Sequence, residues 1–262
     1  MMFQFSLASA LSPVFSFPSG IDTNIFMLLR WAHFIAGVTW LGLLYFFNLV
    51  NVPFMKELDG ATKSKIFPSL MLHALWWFRW ASLVTVLAGL IYWMRAVGND
   101  ARNAEAAIGT TASPGMAIGS FFVIWTVVFA LIYALIMVAP KKLAILNNGS
   151  VLGVSVALLV ALGAYLYLSV NSHGWESNGT LAIGVGGGIG WILFMNVWGV
   201  IWRINKKLIR WNQDFAANGT PIPAEAAALT RIGFLASRTN FWLSFPLLFL
   251  MGAASHWPAF GR

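Results

Sequence analysis

Six stretches of this chain are apolar over about the length of helix needed to cross a bilayer. A hydrocarbon core of roughly 30 Å takes roughly 20 residues of helix. The stretches run from about 25 to 52, 69 to 97, 116 to 139, 150 to 170, 181 to 208 and 239 to 255. In lipid every backbone polar group must be satisfied within the protein, so repeated runs of this length specify a helical bundle. Composition agrees. Of the 262 residues, 59% are hydrophobic and only 9% charged, where a soluble domain carries about a quarter. The expected fold is an all-α integral membrane protein of about six transmembrane helices.

Residues 1–24 read as an extramembrane or interfacial lead-in, because no Lys or Arg precedes the first span to form a signal-peptide n-region. Residues 25–258 read as one polytopic domain and 259–262 as a tail. The first span is expected to end at Pro53, and the third at Pro140. The longest connection, between the fifth and sixth spans, carries Pro223-Ala-Glu-Ala-Ala-Ala-Leu. That segment has a helix-start pattern and predicts a short interfacial helix running into the last span.

The net charge of +8 does not imply nucleic acid. Eleven Lys and Arg fall in the loops after spans one, three and five, against three on the opposite side. The positive-inside rule then places both termini outside, in the periplasm. With no Cys, thiolate metal sites and covalent haem attachment through Cys-x-x-Cys-His are excluded.

Four histidines remain: His33, His73, His173 and His256. An ionisable residue inside a span is costly, and is a functional candidate for that reason. No acidic residue lies within a predicted span, so His is the natural ligand for a metal cofactor, and haem iron commonly takes it. His33, Gly37 and Trp40 recur at i, i+4 and i+7, on one helix face. Gly37 would let a flat macrocycle approach the backbone. The same spacing also suits an interhelical hydrogen bond from His33 with Gly37 serving close packing. In depth, His33 and His73 differ by on the order of 20 Å, whereas His256 ends the last span on the His33 side. His33 and His256 are therefore the candidate ligand pair, and His173 reads as solvated beside Glu176.

Arg79, in Trp76-Trp-Phe-Arg-Trp80, lacks any acidic partner in a span. It is expected to hold an anion, a haem propionate or a substrate, or to snorkel to the headgroups. The glycines Gly184, Gly186, Gly187, Gly188 and Gly190 lie inside an apolar span. They suit close helix packing or cofactor approach, not a phosphate loop. Asn196, Trp198 and Trp191 could line a polar pocket or make ordinary interhelical hydrogen bonds.

Several of these segments carry a family resemblance. Leu29-Arg-Trp-Ala-His33-Phe-Ile-Ala-Gly-Val-Thr-Trp40-Leu-Gly42 resembles the first helix of the bacterial PuuD-type membrane urate oxidase (urate hydroxylase). Trp76-Trp-Phe-Arg79-Trp80, Asn196-Val-Trp198 and the stretch from Leu235 to His256 resemble later parts of the same membrane domain. A fainter similarity links the first helix and Arg238-Thr-Asn240…Pro246 to HemJ-type membrane protoporphyrinogen oxidases. The resemblance implies a multi-pass protein of the bacterial inner membrane and strengthens the reading of a b-type haem at His33. Urate oxidases of that type couple the membrane domain to a C-terminal cytochrome c, a motif absent here. The implied activity is a membrane b-haem oxidoreductase passing electrons to a separate cytochrome or respiratory partner. The alternative is a non-catalytic accessory subunit of a larger membrane complex.

Overall fold

The computed structural model describes residues 18–260 apart from 110 and 139–141. Most of the expected lead-in and the last two residues of the tail lie outside the described residues. Eight α-helices carry the fold among those described: α1 (Ile21–Tyr45), α2 (Val52–Glu57), α3 (Gly60–Ile108), α4 (Pro114–Met137), α5 (Gly149–Val170), α6 (Asn178–Asn196), α7 (Trp202–Asn218) and α8 (Glu225–His256). Two π-helical stretches, Phe46–Asn51 and Val197–Ile201, join α1 to α2 and α6 to α7 without a break.

The helices overrun the apolar stretches. α3 has 49 residues and reaches about 74 Å, more than twice the hydrocarbon thickness. Its start is fixed by Asp59, whose carboxylate accepts from the backbone N–H groups of Ala61 and Thr62. Pro53 does not end the first helix, contrary to the sequence expectation. Proline lacks an N–H and crowds the carbonyl one turn back. Here the wider π turn immediately before it takes up both defects, and helix resumes through Glu57. The long connection after the fifth span is also mostly helix. α7 continues to Asn218, and the interfacial helix expected near Pro223 is the first part of an unbroken α8.

Among the described residues, five helical segments are long and apolar enough to cross a membrane: 21–57, 60–108, 114–137, 149–170 and 178–218. α8 is less apolar because Asn240, Ser244 and Pro246 interrupt it, yet it lies along the whole of α6. At one end Asn178 donates to the carbonyls of Ala254 and Trp257. Further along Asn196 donates to Asn240 at 2.8 Å. At the far end Gly233 faces Ile204. A helix sharing the full length of a spanning helix occupies the same slab.

α6 is the axis of the bundle. Of its most apolar window 72% is buried, against 28% for α4 and for α5. The glycine run explains how neighbours come so close. The ring of Tyr167 from α5 occupies the side-chain position of Gly184, and the indole of Trp125 from α4 occupies that of Gly188. The run therefore serves helix packing. α1 sits apart from this axis and packs chiefly on α3.

Candidate functional site

The contacts of α3 give a depth scale. At one end Asp100 accepts from Thr180 and from the N–H of Ser177. Toward the other, Arg79 lies against Trp198 and Trp202, one residue short of Arg203 and the Lys/Arg-rich part of α7. Twenty-one residues separate these levels, about 31 Å of helix, which matches the hydrocarbon core.

His33 lies well inside that slab, on the α3 side of α1. Its Nδ1 is 2.7 Å from the carbonyl oxygen of Thr85. A carbonyl can only accept, so Nδ1 carries a proton, and in the neutral ring that leaves the lone pair on Nε2. The imidazole rests on Gly89, where a Cβ would stand 2.7 Å from Cε1 and Nδ1. Gly37, one turn further along, meets only a methyl of Thr85, at an ordinary 3.7 Å. Gly89 is thus the tight glycine of the site, with Gly37 beside it. Trp40 completes the face. It is 2% exposed, and its indole N–H meets no acceptor among the described residues.

The other histidines are elsewhere. His73 lies exposed, twelve residues from Thr85 toward the Lys/Arg-rich end, about 18 Å along α3, with Nδ1 donating to Ser69. His173 pairs with the buried Glu176 at 2.8 Å. His256 is the exposed last residue of α8. Tyr45 and Ser244 hydrogen-bond at 3.1 Å, and His33 and His256 each stand twelve residues from that contact. By the other route, Asn178 sets the end of α8 level with the Asp100 end of α3, eleven residues beyond Gly89. The routes differ because α1 and α8 touch near Tyr45 and Asn48; helices that meet at one level and cross need not keep step beyond it. The one hydrogen bond of His33 among the described residues is to Thr85, and none joins it to His256.

Arg79 occupies a different face of α3. It is six residues before Thr85 and ten before Gly89, about 100° round the helix from the side that meets α1. Its guanidinium carbon is 4.0 Å from the ring centroid of Trp202, 5.3 Å from Trp198 and 5.4 Å from Trp80. Two buried donors there, Arg79 Nε and Trp198 Nε1, meet no acceptor among the described residues.

Residue spacing alone did not single out Thr85, Gly89 or Trp202. Trp202 has a usable signal, standing four residues after Trp198. Gly89 stands four after Thr85, but nothing in the sequence pairs that helix with the first. The Asn196–Asn240 contact belongs to a polar seam that also includes Asn48 on Ser237 at 3.0 Å and Tyr45 on Ser244. Trp191 donates to Thr126.

The family described as urate oxidase N-terminal matches residues 21–261. The chain belongs to the urate oxidase N-terminal family. That match spans every described helix, so α1 with His33, α3 with Arg79 and α8 with His256 are all family structure. No curated protein and no solved structure matches the chain.

Proposed function

We propose that this urate oxidase-like membrane domain is a b-haem oxidoreductase of the bacterial inner membrane, with His33 as the residue that holds the iron. The observation that carries it is the His33–Thr85 hydrogen bond. Histidines that bind metals almost always donate their other ring N–H to a carbonyl or carboxylate, which fixes the tautomer and raises the basicity of the ligating nitrogen. His33 has that arrangement, with Nδ1 donating to Thr85 and no hydrogen bond to Nε2 among the described residues, inside an apolar span.

When bound, such a haem supplies one-electron transfer between a reduced small molecule and a downstream carrier. The chain's own part is to orient the imidazole through Thr85 and to seat it on Gly89. His33 is partly exposed, so lipid or a partner helix is proposed to cover its outer side. Electrons are proposed to leave to a separate cytochrome or respiratory partner.

A non-catalytic accessory subunit is the second reading, and the same contact favours it. A histidine donating to a carbonyl on a neighbouring helix is also an ordinary interhelical hydrogen bond. Absorbance spectroscopy of the full chain, purified from cells supplied with haem, separates the two. The oxidoreductase reading expects a Soret band that His33→Ala abolishes and His73→Ala leaves. His256→Ala reports whether α8 supplies a second ligand. A wild-type chain with no Soret band belongs to the accessory reading.

A further inference from the structure

We propose that Arg79 Nε–H and Trp198 Nε1–H form a two-donor site for a small anion, separate from the His33 site. Both groups are donors only. Both are buried, and neither meets an acceptor among the described residues. They belong to side chains in contact, with the Arg79 guanidinium carbon over the Trp198 ring at 5.3 Å from its centroid. The Trp40 and Trp125 indoles are also unpaired among the described residues, but only here do two such donors belong to side chains in contact, one of them cationic, and that combination points to an anionic acceptor.

Charge gives the sign of the ligand. No salt bridge reaches Arg79 among the described residues. The indoles of Trp202, Trp198 and Trp80 favour the cation through their ring faces, but a ring face is a poor substitute for an oxygen acceptor. Snorkelling could carry the guanidinium tip to the headgroups. It leaves Nε and the Trp198 indole where they are.

Shape narrows the class. Trp202 covers the guanidinium most closely, at 4.0 Å, and Trp80 and Trp198 stand edge to face with centroids 5.7 Å apart. Such walls suit a flat ring bearing anionic oxygen, while the donor pair by itself also suits a phosphate oxygen. The shared chemistry is an anionic oxygen acceptor, and its source is either a small planar anion or a lipid headgroup. Trp198 lies in the π stretch Val197–Ile201, a local widening often found at functional positions.

Position separates this anion from the haem proposed above. His33 meets the α1 side of α3, and Arg79 lies about 100° round that helix. The inference deepens the oxidoreductase reading by giving its reduced anion a place to dock, and rests on that reading only for this meaning.

The test uses the full chain in phosphatidylcholine nanodiscs, with calorimetric titration of urate as a planar anion and of inorganic phosphate. Native mass spectrometry in phosphatidylglycerol nanodiscs detects a retained anionic lipid. Saturable binding of one of these probes is expected. Arg79→Gln and Trp198→Phe, which keeps an aromatic six-membered ring and removes the indole N–H with its pyrrole ring, should each weaken it roughly tenfold to a hundredfold. Arg79→Lys should restore part of the loss. Urate binding assigns the site to a soluble planar anion; a lipid adduct lost in both variants assigns it to a headgroup. Both outcomes support the donor pair. Binding unchanged in both variants, or no binding of any probe, overturns it. A Soret band lost in Arg79→Gln would also overturn it, because Arg79 would then serve the haem. Soret intensity retained in that variant while anion binding falls keeps the two sites distinct, and anion binding can be read even from a chain without haem.

Discussion

At the scale of the residue, the site depends on two glycines that look alike in sequence and differ in contact. A methyl group at position 89 would press on the His33 imidazole at 2.7 Å, while one at position 37 would meet Thr85 at 3.7 Å. Gly89→Ala must therefore displace the ring and stretch its bond to Thr85. It is expected to cost about 1–3 kcal/mol, as overpacking does, and to reduce haem retention with it. Gly37→Ala is expected to stay within about 0.5 kcal/mol of the parent. Thermal unfolding in detergent, read beside the Soret band, checks both. Equal behaviour of the two variants would mean that His33 is not seated as described. The sequence placed His33, Gly37 and Trp40 on one face correctly. It could not reveal Gly89, because which helix packs on α1, and in what register, is set by tertiary contact alone.

At the scale of the element, the glycine run makes α6 the axis by removing side chains where aromatic rings of α4 and α5 enter. Gly188→Ala would put a methyl inside the indole of Trp125, which is fully buried at 0% exposure. A rigid ring with no free volume must shift a helix, and a loss of about 1–3 kcal/mol is expected. Gly119→Ala on α4 meets nothing within 4 Å and should be neutral. The comparison is read in thermal midpoints of the two purified variants. The apolar runs were legible because lipid demands about 20 residues of them. Helix ends were less so. Pro53 reads as a stop, yet a π turn carries the chain past it. The stretch from Ile209 to Asn218 reads as loop because hydropathy marks where a helix leaves lipid, not where it ends. α7 buries Ile204, Leu208 and Ile209 and packs on α3, which keeps it helical beyond the slab.

At the scale of the whole molecule, the bundle is polarised. Charged helix extends past the slab at the end that carries Lys63, Lys65, Arg203, Lys206 and Lys207; at the other, α3 runs on from Asp100 to Ile108, and Glu176 and Trp257 lie in short connections. We propose that the basic end is cytoplasmic and that both termini lie outside. The chain has no native Cys, so single labels are clean. Lys142→Cys and Ser172→Cys are expected to react with a membrane-impermeant maleimide from opposite faces of oriented vesicles. Reaction from one face would break the six-helix path. The proposal of haem rests, at the level of sequence, on chemistry alone: a histidine within an apolar span and a family resemblance. The His33–Thr85 bond adds the tautomer that such chemistry needs. The most direct test is the absorbance spectrum of the purified chain with and without His33. A reducible Soret band in the wild type, lost in His33→Ala while the protein still inserts and unfolds cooperatively, is the predicted result. No Soret band in the wild type, or one undiminished in His33→Ala, would contradict it.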